Sequence, residues 1–363
     1  MLRWLLLPFS FFYGLAVWLR NKLFDVGILP SKEFEIPLIV VGNITVGGTG
    51  KTPHIEYLAN LLSKNKKVAV LSRGYKRKSK GFVVAHDSST IEQVGDEPRQ
   101  IKRKFPHIAV AVHANRVSGI HKLMHGAADF DPDVILLDDA FQHRYVKAGL
   151  NILLVDYNRP LETDYLLPFG RLRESMYEKK RAHIVIVTKA PHDLKPIDRR
   201  IISKEMKLFP YQGLYFSYLK YGELSPVFCN KGDLTFAKCK ELSYDALLVT
   251  GIANPSPLKE FLAPQFEHIE HLNFADHRNF TAKDLKRIER TLQKMKAKNV
   301  IVLTTEKDAV RMSDNPLFEK LNRSIYYVPV EVDFLFGDKE EFEKRVETYI
   351  KNNKKTPGLN RSV

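Results

Sequence analysis

Between Val41 and Leu62 the chain reads VGNITVGGTGKTPHIEYLANLL. An apolar strand enters this stretch, glycines fill its middle, a Lys-Thr pair follows, and a helix-forming run leaves it. A loop with so little side chain, closed by one cation and one hydroxyl, suits a phosphate chain. Gly47, Gly48 and Gly50 leave backbone N–H groups bare, Lys51 can reach β- and γ-phosphates, and the Thr52 hydroxyl can hold Mg²⁺. The helix that follows adds its positive dipole end. The pattern departs from G-x-x-x-x-G-K-[ST] only at its first position, Thr45, with Val46 and Thr49 completing the loop. A strand–loop–helix of this kind commits the chain to an α/β fold.

The rest of the sequence agrees. "KVAVLS", "HIAVAV", "DVILLDD", "NILLVD" and "HIVIVTK" are short apolar runs separated by helical stretches. Continuous apolar strands are buried on both faces, which predicts a mostly parallel sheet covered by helices. After a looser region at 210–240, a second alternating set follows, with "DALLVTGI", "VIVLTTEKD" and "SIYYVPVEV" as its strands. We therefore expect a membrane-associated helix at 1–25, a P-loop core at 26–220, and a smaller α/β domain at 221–363.

"DVILLDDA" ends in Asp138 and Asp139, where a Walker-B carboxylate would meet Mg²⁺. Asp pairs at strand ends are ordinary turn chemistry, but behind a P-loop they point to Mg²⁺ and a nucleoside triphosphate. "TKAPHD" has the Lys of a guanine-reading element but its Asp two positions late, and "TEKD" puts Glu between Thr and Lys. ATP is therefore the expected nucleotide. "VGDEPRQ" offers Asp96 and Glu97 at a helix start, and Arg73, Arg116, Arg171 and Arg173 offer cations. Taken singly, each reads more readily as a cap or a surface charge than as a site residue. "HKLMH" has i, i+4 histidines without the Glu of a zinc protease, so it is no metal site.

The first segment, MLRWLLLPFSFFYGLAVWLRNK, is apolar from Leu2 to Leu19 except for Arg3, Ser10 and Gly14, with Pro8 inside it. A helix of that length spans roughly 27 Å, slightly short of a hydrocarbon core. It reads as an interfacial anchor with Trp4, Tyr13 and Trp18 at the surface; a buried core helix is the alternative. Arg20 and Lys22 favour a cytoplasmic catalytic body. The net charge of +15 attracts anionic partners, and no RNP, helix-turn-helix or zinc-finger pattern directs it to nucleic acid. Two cysteines, Cys229 and Cys239, exclude a disulfide framework.

Taken in order, "VGNITVGGTGKTP", "LSRGYKR", "VGDEP", "HANRV", "LLDDAFQHR", "PFGRLRE", "TGIANP", "FADHRNF" and "TTEKDAV" resemble the tetraacyldisaccharide 4'-kinase family of lipid A biosynthesis. The likeness covers nearly the whole chain, including Thr45 at the first P-loop position. It implies transfer of the ATP γ-phosphoryl to the 4'-hydroxyl of tetraacyldisaccharide 1-phosphate, giving lipid IVA. It also implies two unequal domains, a P-loop kinase core and a smaller domain that closes over the nucleotide, joined by a short two-stranded linker. By the same resemblance, Asp96 is the base that takes the hydroxyl proton and His277 its partner from the other domain. Lys51 and Thr52 serve phosphate and Mg²⁺, and Asp138 and Asp139 serve the metal. Gln142 and His143 fall where site residues are expected, and Glu97, Arg73, Arg116, Arg171 and Glu174 are weaker assignments. The implied partners are the lipid A precursor and the cytoplasmic face of the bacterial inner membrane, with no nucleic acid and no obligate protein partner. A membrane-bound nucleotide switch, or a P-loop ligase with another acceptor, would share the loop but not the acceptor-site base.

Overall fold

A computed structural model describes residues 2–353 apart from 128–130, 229–233, 277, 296–298, 320 and 322–323. Its strands are β1 (Leu38–Gly42), β2 (Val68–Ser72), β3 (Val83–Ala85), β4 (Ala109–Val112), β5 (Val134–Asp138), β6 (Leu150–Asp156), β7 (Ile184–Thr188), β8 (Gly213–Tyr221), β9 (Ser225–Pro226), β10 (Asp245–Thr250), β11 (Ile269–Asn273), β12 (Val300–Thr305), β13 (Ile325–Val328) and β14 (Val330–Phe334). They form two sheets. The larger runs β14-β8-β7-β6-β1-β5-β2-β4-β3, parallel from β8 to β4 with an antiparallel strand at each edge. The smaller runs β11-β10-β12-β13-β9, parallel except for β9.

The apolar runs account for this arrangement. Every residue of β1, β2, β4, β5 and β7 is buried, since helices cover both faces. One face packs Ile39, Val41 and Leu136 against Ile55 and Leu58 of the helix Lys51–Ser63. The other packs Val40 and Leu137 against Ile120 and Leu123. The small sheet has its own core around Leu247, Val249, Ile288 and Phe318.

The sheets are joined twice, where β8 runs on to β9 and where β13 runs on to β14. Gly222 N donates to Pro329 O at this crossing (2.9 Å). The expected extent of the C-terminal domain, 221–363, is corrected here. Pro329 has no N–H for a ladder, so "SIYYVPVEV" is two strands in two sheets. From Val330 the chain returns to the large sheet, and the helix Lys339–Asn352 packs Phe342, Val346 and Ile350 into the first core. Tyr349 accepts from Leu38 N (3.1 Å) and donates to Leu38 O (3.0 Å), gripping β1 itself.

At the N-terminus, a 3₁₀ turn (Leu2–Leu6) leads into the helix Leu7–Asp25. Its inward stripe is the less apolar one. Ser10 Oγ donates to Leu166 O (2.7 Å), Tyr13 Oη to Arg173 O (2.8 Å) and Arg20 Nη2 to Gln142 O (2.8 Å). Gly14 lies so close to Leu166 that a Cβ there would sit 2.7 Å from Leu166 Cδ1. Trp4, Phe9, Phe11, Phe12 and Trp18 all face outward, each more than half exposed. The buried-core alternative is thereby excluded. Among the described residues, no helix is long and apolar enough to cross a membrane. A groove of about 350 Å³ opens between this helix and the segment 164–176, walled by Leu7, Phe11, Tyr165, Leu166, Phe169 and Met176.

Candidate active site

The glycine loop occupies the turn between β1 and the helix Lys51–Ser63, and its neighbours hold it from outside. The wholly buried Asn43 donates through Nδ2 to Thr49 Oγ1 (2.9 Å). Thr188, at the end of β7, donates to Thr49 O (2.9 Å), and Val46 N donates to Arg171 O (2.8 Å). Gln142 Nε2 donates to Asn43 O (2.7 Å). Gly47 (φ +106°) and Gly50 (φ +84°) adopt backbone that L-residues rarely take. A Cβ on Gly47 would also lie 2.8 Å from Arg159 Nη1. His54, one turn into the helix, sits between Gly50 O (2.7 Å) and Ser217 Oγ (3.0 Å), and its burial pulls its pKa down to about 4. It is therefore a neutral strut between the loop and β8.

Asp138 and Asp139 close β5, beside the loop. Asp138 is buried, with Oδ2 accepting from Ser72 Oγ (3.0 Å) and Oδ1 lacking any hydrogen-bond partner. Burial, reinforced by Glu97 and Asp139, pushes its pKa up to about 7. Asp139 has left-handed backbone (φ +47°), which turns its carboxylate toward Lys51 Nζ (3.6 Å) and Arg173 Nη1 (3.2 Å). Burial pushes its pKa up too, but Lys51, Arg173 and Arg116 outweigh it and hold the group below the usual carboxylate range. Two adjacent carboxylates are thus split: one wants a cation and the other already has two.

Asp96 opens the helix Asp96–Lys104 and is 7% exposed. Its Oδ1 accepts from Glu97 N (3.0 Å). Its Oδ2 accepts from Arg311 Nη2 (2.5 Å), with Lys307 Nζ at 3.8 Å. Both cations belong to the helix Glu306–Ser313, which follows β12 in the smaller sheet. Arg311 is itself braced by Asp308 (2.7 Å) and Gly251 O (3.1 Å), and Lys307 also pairs with Glu97 (3.4 Å). The two helices run face to face, with Arg103 Nη1 on Ser313 Oγ (2.9 Å) and Lys104 bridging Glu56 (2.8 Å) and Glu306 (3.0 Å). His277 lies outside the described residues.

The remaining expected residues divide by what they touch. Arg116 is buried and braces the end of β5, donating to Asp138 O (2.9 Å) and His113 O (2.5 Å). Gln142 supports the loop as described. Burial and the nearby Arg116 and Arg20 lower the His143 pKa to about 4. Glu174 is buried against Arg181, with Arg20 at 3.8 Å, so it anchors the N-terminal helix rather than facing the loop. Arg73 and Arg171 are exposed, and Arg171 meets the loop through its carbonyl alone. The sequence reading missed Arg311, Lys307, Arg159 and Lys189. "TTEKDAV" and "TKAPHD" had been singled out, but nothing local ties either to a site hundreds or scores of residues away.

The chain matches the model of the LpxK family, tetraacyldisaccharide-1-P 4'-kinase, over residues 2–351. It is 53% identical over 352 residues to the tetraacyldisaccharide 4'-kinase of Phocaeicola vulgatus, covering 97% of this chain and 96% of that one. It is 49% identical over 358 residues to the enzyme of the same name in Bacteroides thetaiotaomicron, covering 97% and 94%. The fold is similar to a crystal structure of LpxK from Aquifex aeolicus, described as an "apo" form in complex with ATP. There the TM-score is 0.75 at 28% identity, covering 96% of this chain and all of that one.

Proposed function

The chain belongs to the tetraacyldisaccharide-1-P 4'-kinase family, and from that premise we propose how its residues carry out the family's reaction. The reaction transfers the γ-phosphoryl of ATP to the 4'-hydroxyl of tetraacyldisaccharide 1-phosphate, giving lipid IVA. One observation supports this reading most. A carboxylate at a helix start, Asp96, is gripped from the second domain by Arg311, in a chain whose glycine loop and Asp138–Asp139 pair adjoin through Lys51. A nucleotide switch has no use for such a base.

Loose phosphoryl transfer asks mainly for positioning and charge neutralisation. The backbone of residues 45–50 cradles the phosphates, and Lys51 neutralises charge on the β- and γ-groups. Carboxylate oxygens offer about four acceptor sites between them. Asp96 therefore retains capacity to take the 4'-hydroxyl proton while held by Glu97 N and Arg311. His277 is assigned as its partner from the second domain. Because Asp96 is oriented across the domain seam, catalysis depends on the domains meeting, which limits ATP hydrolysis by water.

The orphaned, buried Asp138 Oδ1 fits a divalent cation. Thr52, Asp138 and Asp139 would hold Mg²⁺, which when bound neutralises the phosphate oxygens. Among the described residues no group of three His, Cys, Asp or Glu side chains forms a metal cage. The outward Trp4, Phe9, Phe12 and Trp18 would rest in the interfacial layer of the cytoplasmic leaflet, where the acceptor lipid and ATP meet. Arg73, Arg171 and the other basic residues add about 1 kcal/mol each toward anionic headgroups.

A mixed-micelle assay with Mg²⁺-ATP and tetraacyldisaccharide 1-phosphate should add one phosphate to the lipid, read by mass spectrometry, and Lys51→Ala should abolish it. ATP consumed with the lipid unchanged would reject the assignment. Asp96→Ala should lower kcat about 10²–10⁴-fold with KM for ATP little changed, and normal turnover would remove Asp96 as the base.

A further inference from the structure

The helix that opens with Asp96 closes with Lys104, and that far end carries a buried charge cluster the mechanism has not used. Lys104 Nζ donates to Glu56 Oε2 (2.8 Å), to Glu306 Oε2 (3.2 Å) and to Val330 O (3.4 Å). An ammonium has three protons to give, so all are engaged. Each acceptor belongs to a different part of the molecule. Glu56 lies one turn beyond Thr52 on the glycine-loop helix Lys51–Ser63. Glu306 opens the second domain's helix Glu306–Ser313. Val330 begins β14, where the chain has just crossed back between the domains.

Two carboxylates therefore share one ammonium across the domain seam. Glu56 is 4% exposed, and its other oxygen accepts from Gln100 Nε2 (2.7 Å). Glu306 Oε2 also accepts from Val330 N (3.3 Å). Burial, and after it Glu306, raises the Glu56 pKa against the pull of Lys104. Burial lowers the Lys104 pKa, but the two carboxylates more than restore it, so the ammonium stays charged. Among the described residues, Glu306 and Lys104 are the charges that act on Glu56. Arg103 lies near but donates instead to Ser313 Oγ (2.9 Å) and Val227 O (2.8 Å). A cavity of about 110 Å³, walled by Gln100, Arg103, Ala309 and Tyr327, adjoins the cluster. The seam is thus incompletely packed here, and charge rather than contact area holds it.

We propose that Lys104 is a positioning residue for phosphoryl transfer. Its ammonium fixes the Asp96 helix to the glycine-loop helix through Glu56, and to the second domain through Glu306 and Val330 O. Base, phosphate loop and second domain are then set relative to one another by one cation. Without it, Glu56 and Glu306 face each other as two buried carboxylates, which repel until one takes a proton. The inference rests on the kinase reading with Asp96 as the base.

The test measures kcat, KM for ATP and KM for the lipid across pH, and amide hydrogen exchange at one pH. The variants are Lys104→Met, Lys104→Arg, Glu306→Gln and Lys104→Met with Glu306→Gln. Lys104→Met, which keeps the stem, should lower kcat about 10²-fold, the loss expected when a reacting group is misplaced by roughly 1 Å. Both KM values should stay within about twofold, because the interaction acts on positioning and not on ground-state binding. The deficit, taken as a ratio to wild type, should shrink as pH falls from about 8 to about 6, since a proton on one carboxyl ends the repulsion. Lys104→Arg should retain most of kcat, and Glu306→Gln should recover part of it in the Lys104→Met background. Exchange in Lys104→Met should quicken in the helices Asp96–Lys104 and Glu306–Ser313 and not in β10. Unchanged kcat in Lys104→Met would overturn the proposal, as would a deficit equal at every pH and indifferent to Glu306→Gln. Global unfolding of Lys104→Met that Glu306→Gln does not rescue would make Lys104 merely structural and overturn it too. Quickened exchange at the seam, with a wild-type protein that does not phosphorylate the lipid, would keep the tie and reject the acceptor instead.

Discussion

Asp138→Asn should make the protein more stable at alkaline pH while abolishing phosphate transfer to the lipid. The unfolded chain ionises this group near 3.8 and the folded one near about 7, because burial, Glu97 and Asp139 all oppose its charge. Between those values the folded state holds a proton that the unfolded state has released, so stability falls as pH rises through the window. Above about pH 7 the loss is complete, about 4 kcal/mol for roughly three units at 1.36 kcal/mol each. At pH 4.5 it is only about 1 kcal/mol by the same reckoning. Asparagine can still accept from Ser72 but leaves a buried amide poorly paired, which costs about 1–3 kcal/mol. The net gain at pH 8 is then about 2 kcal/mol, or a Tm rise of about 4–8 °C in the first domain. At pH 4.5 the variant should be neutral or slightly less stable. Thermal unfolding with chelator and without nucleotide, at both pH values, measures this. A variant that melts lower by the same amount at both would refute the idea that Asp138 stores an unfavourable charge.

Arg311→Met strips a buried partner from Asp96, Asp308 and Gly251 O together. It should cost about 3–5 kcal/mol in unfolding of the second domain by denaturant and lower kcat as well; unchanged values of both would mean the seam contact is incidental. Phe9→Asp with Phe12→Asp removes two outward rings, each worth about 1.5–3 kcal/mol when buried. The pair should abolish co-sedimentation with anionic phospholipid vesicles and leave ATP binding intact, and retained sedimentation would reject the interfacial role of this helix.

What the sequence disclosed follows from what is local. Runs such as VILLD and IVIVT announce burial on both faces by composition alone, and a glycine loop between strand and helix announces its own conformation. Arg311 was not legible, because its bond to Asp96 spans 215 positions and helical periodicity explains an Arg in EKDAVRMS without it. Arg159 and Lys189 were hidden for the same reason, as each reaches the loop from beyond the end of another strand. The return of 330–352 to the first domain did leave a signal. Pro329, in the middle of a strand-like run, breaks the ladder, and weighing it would have split the run between two sheets. The edge strand β3, Val83–Ala85, has only three residues, too short a run to read.

The grip of Tyr349 on Leu38 carries a consequence for biosynthesis. Leu38 begins the strand that feeds the glycine loop, and its side-chain clasp lies 311 residues further along the chain. On a ribosome adding about 5–20 residues per second, β1 therefore waits on the order of half a minute for that clasp, while the whole smaller domain is made in between. A nascent chain arrested before residue 330 is expected to expose the sheet edge at β8 and the apolar patch meant for Phe342, Val346 and Ile350. It should resist proteolysis in its second domain before its first, and ATP should begin to protect it only once the helix Lys339–Asn352 has emerged.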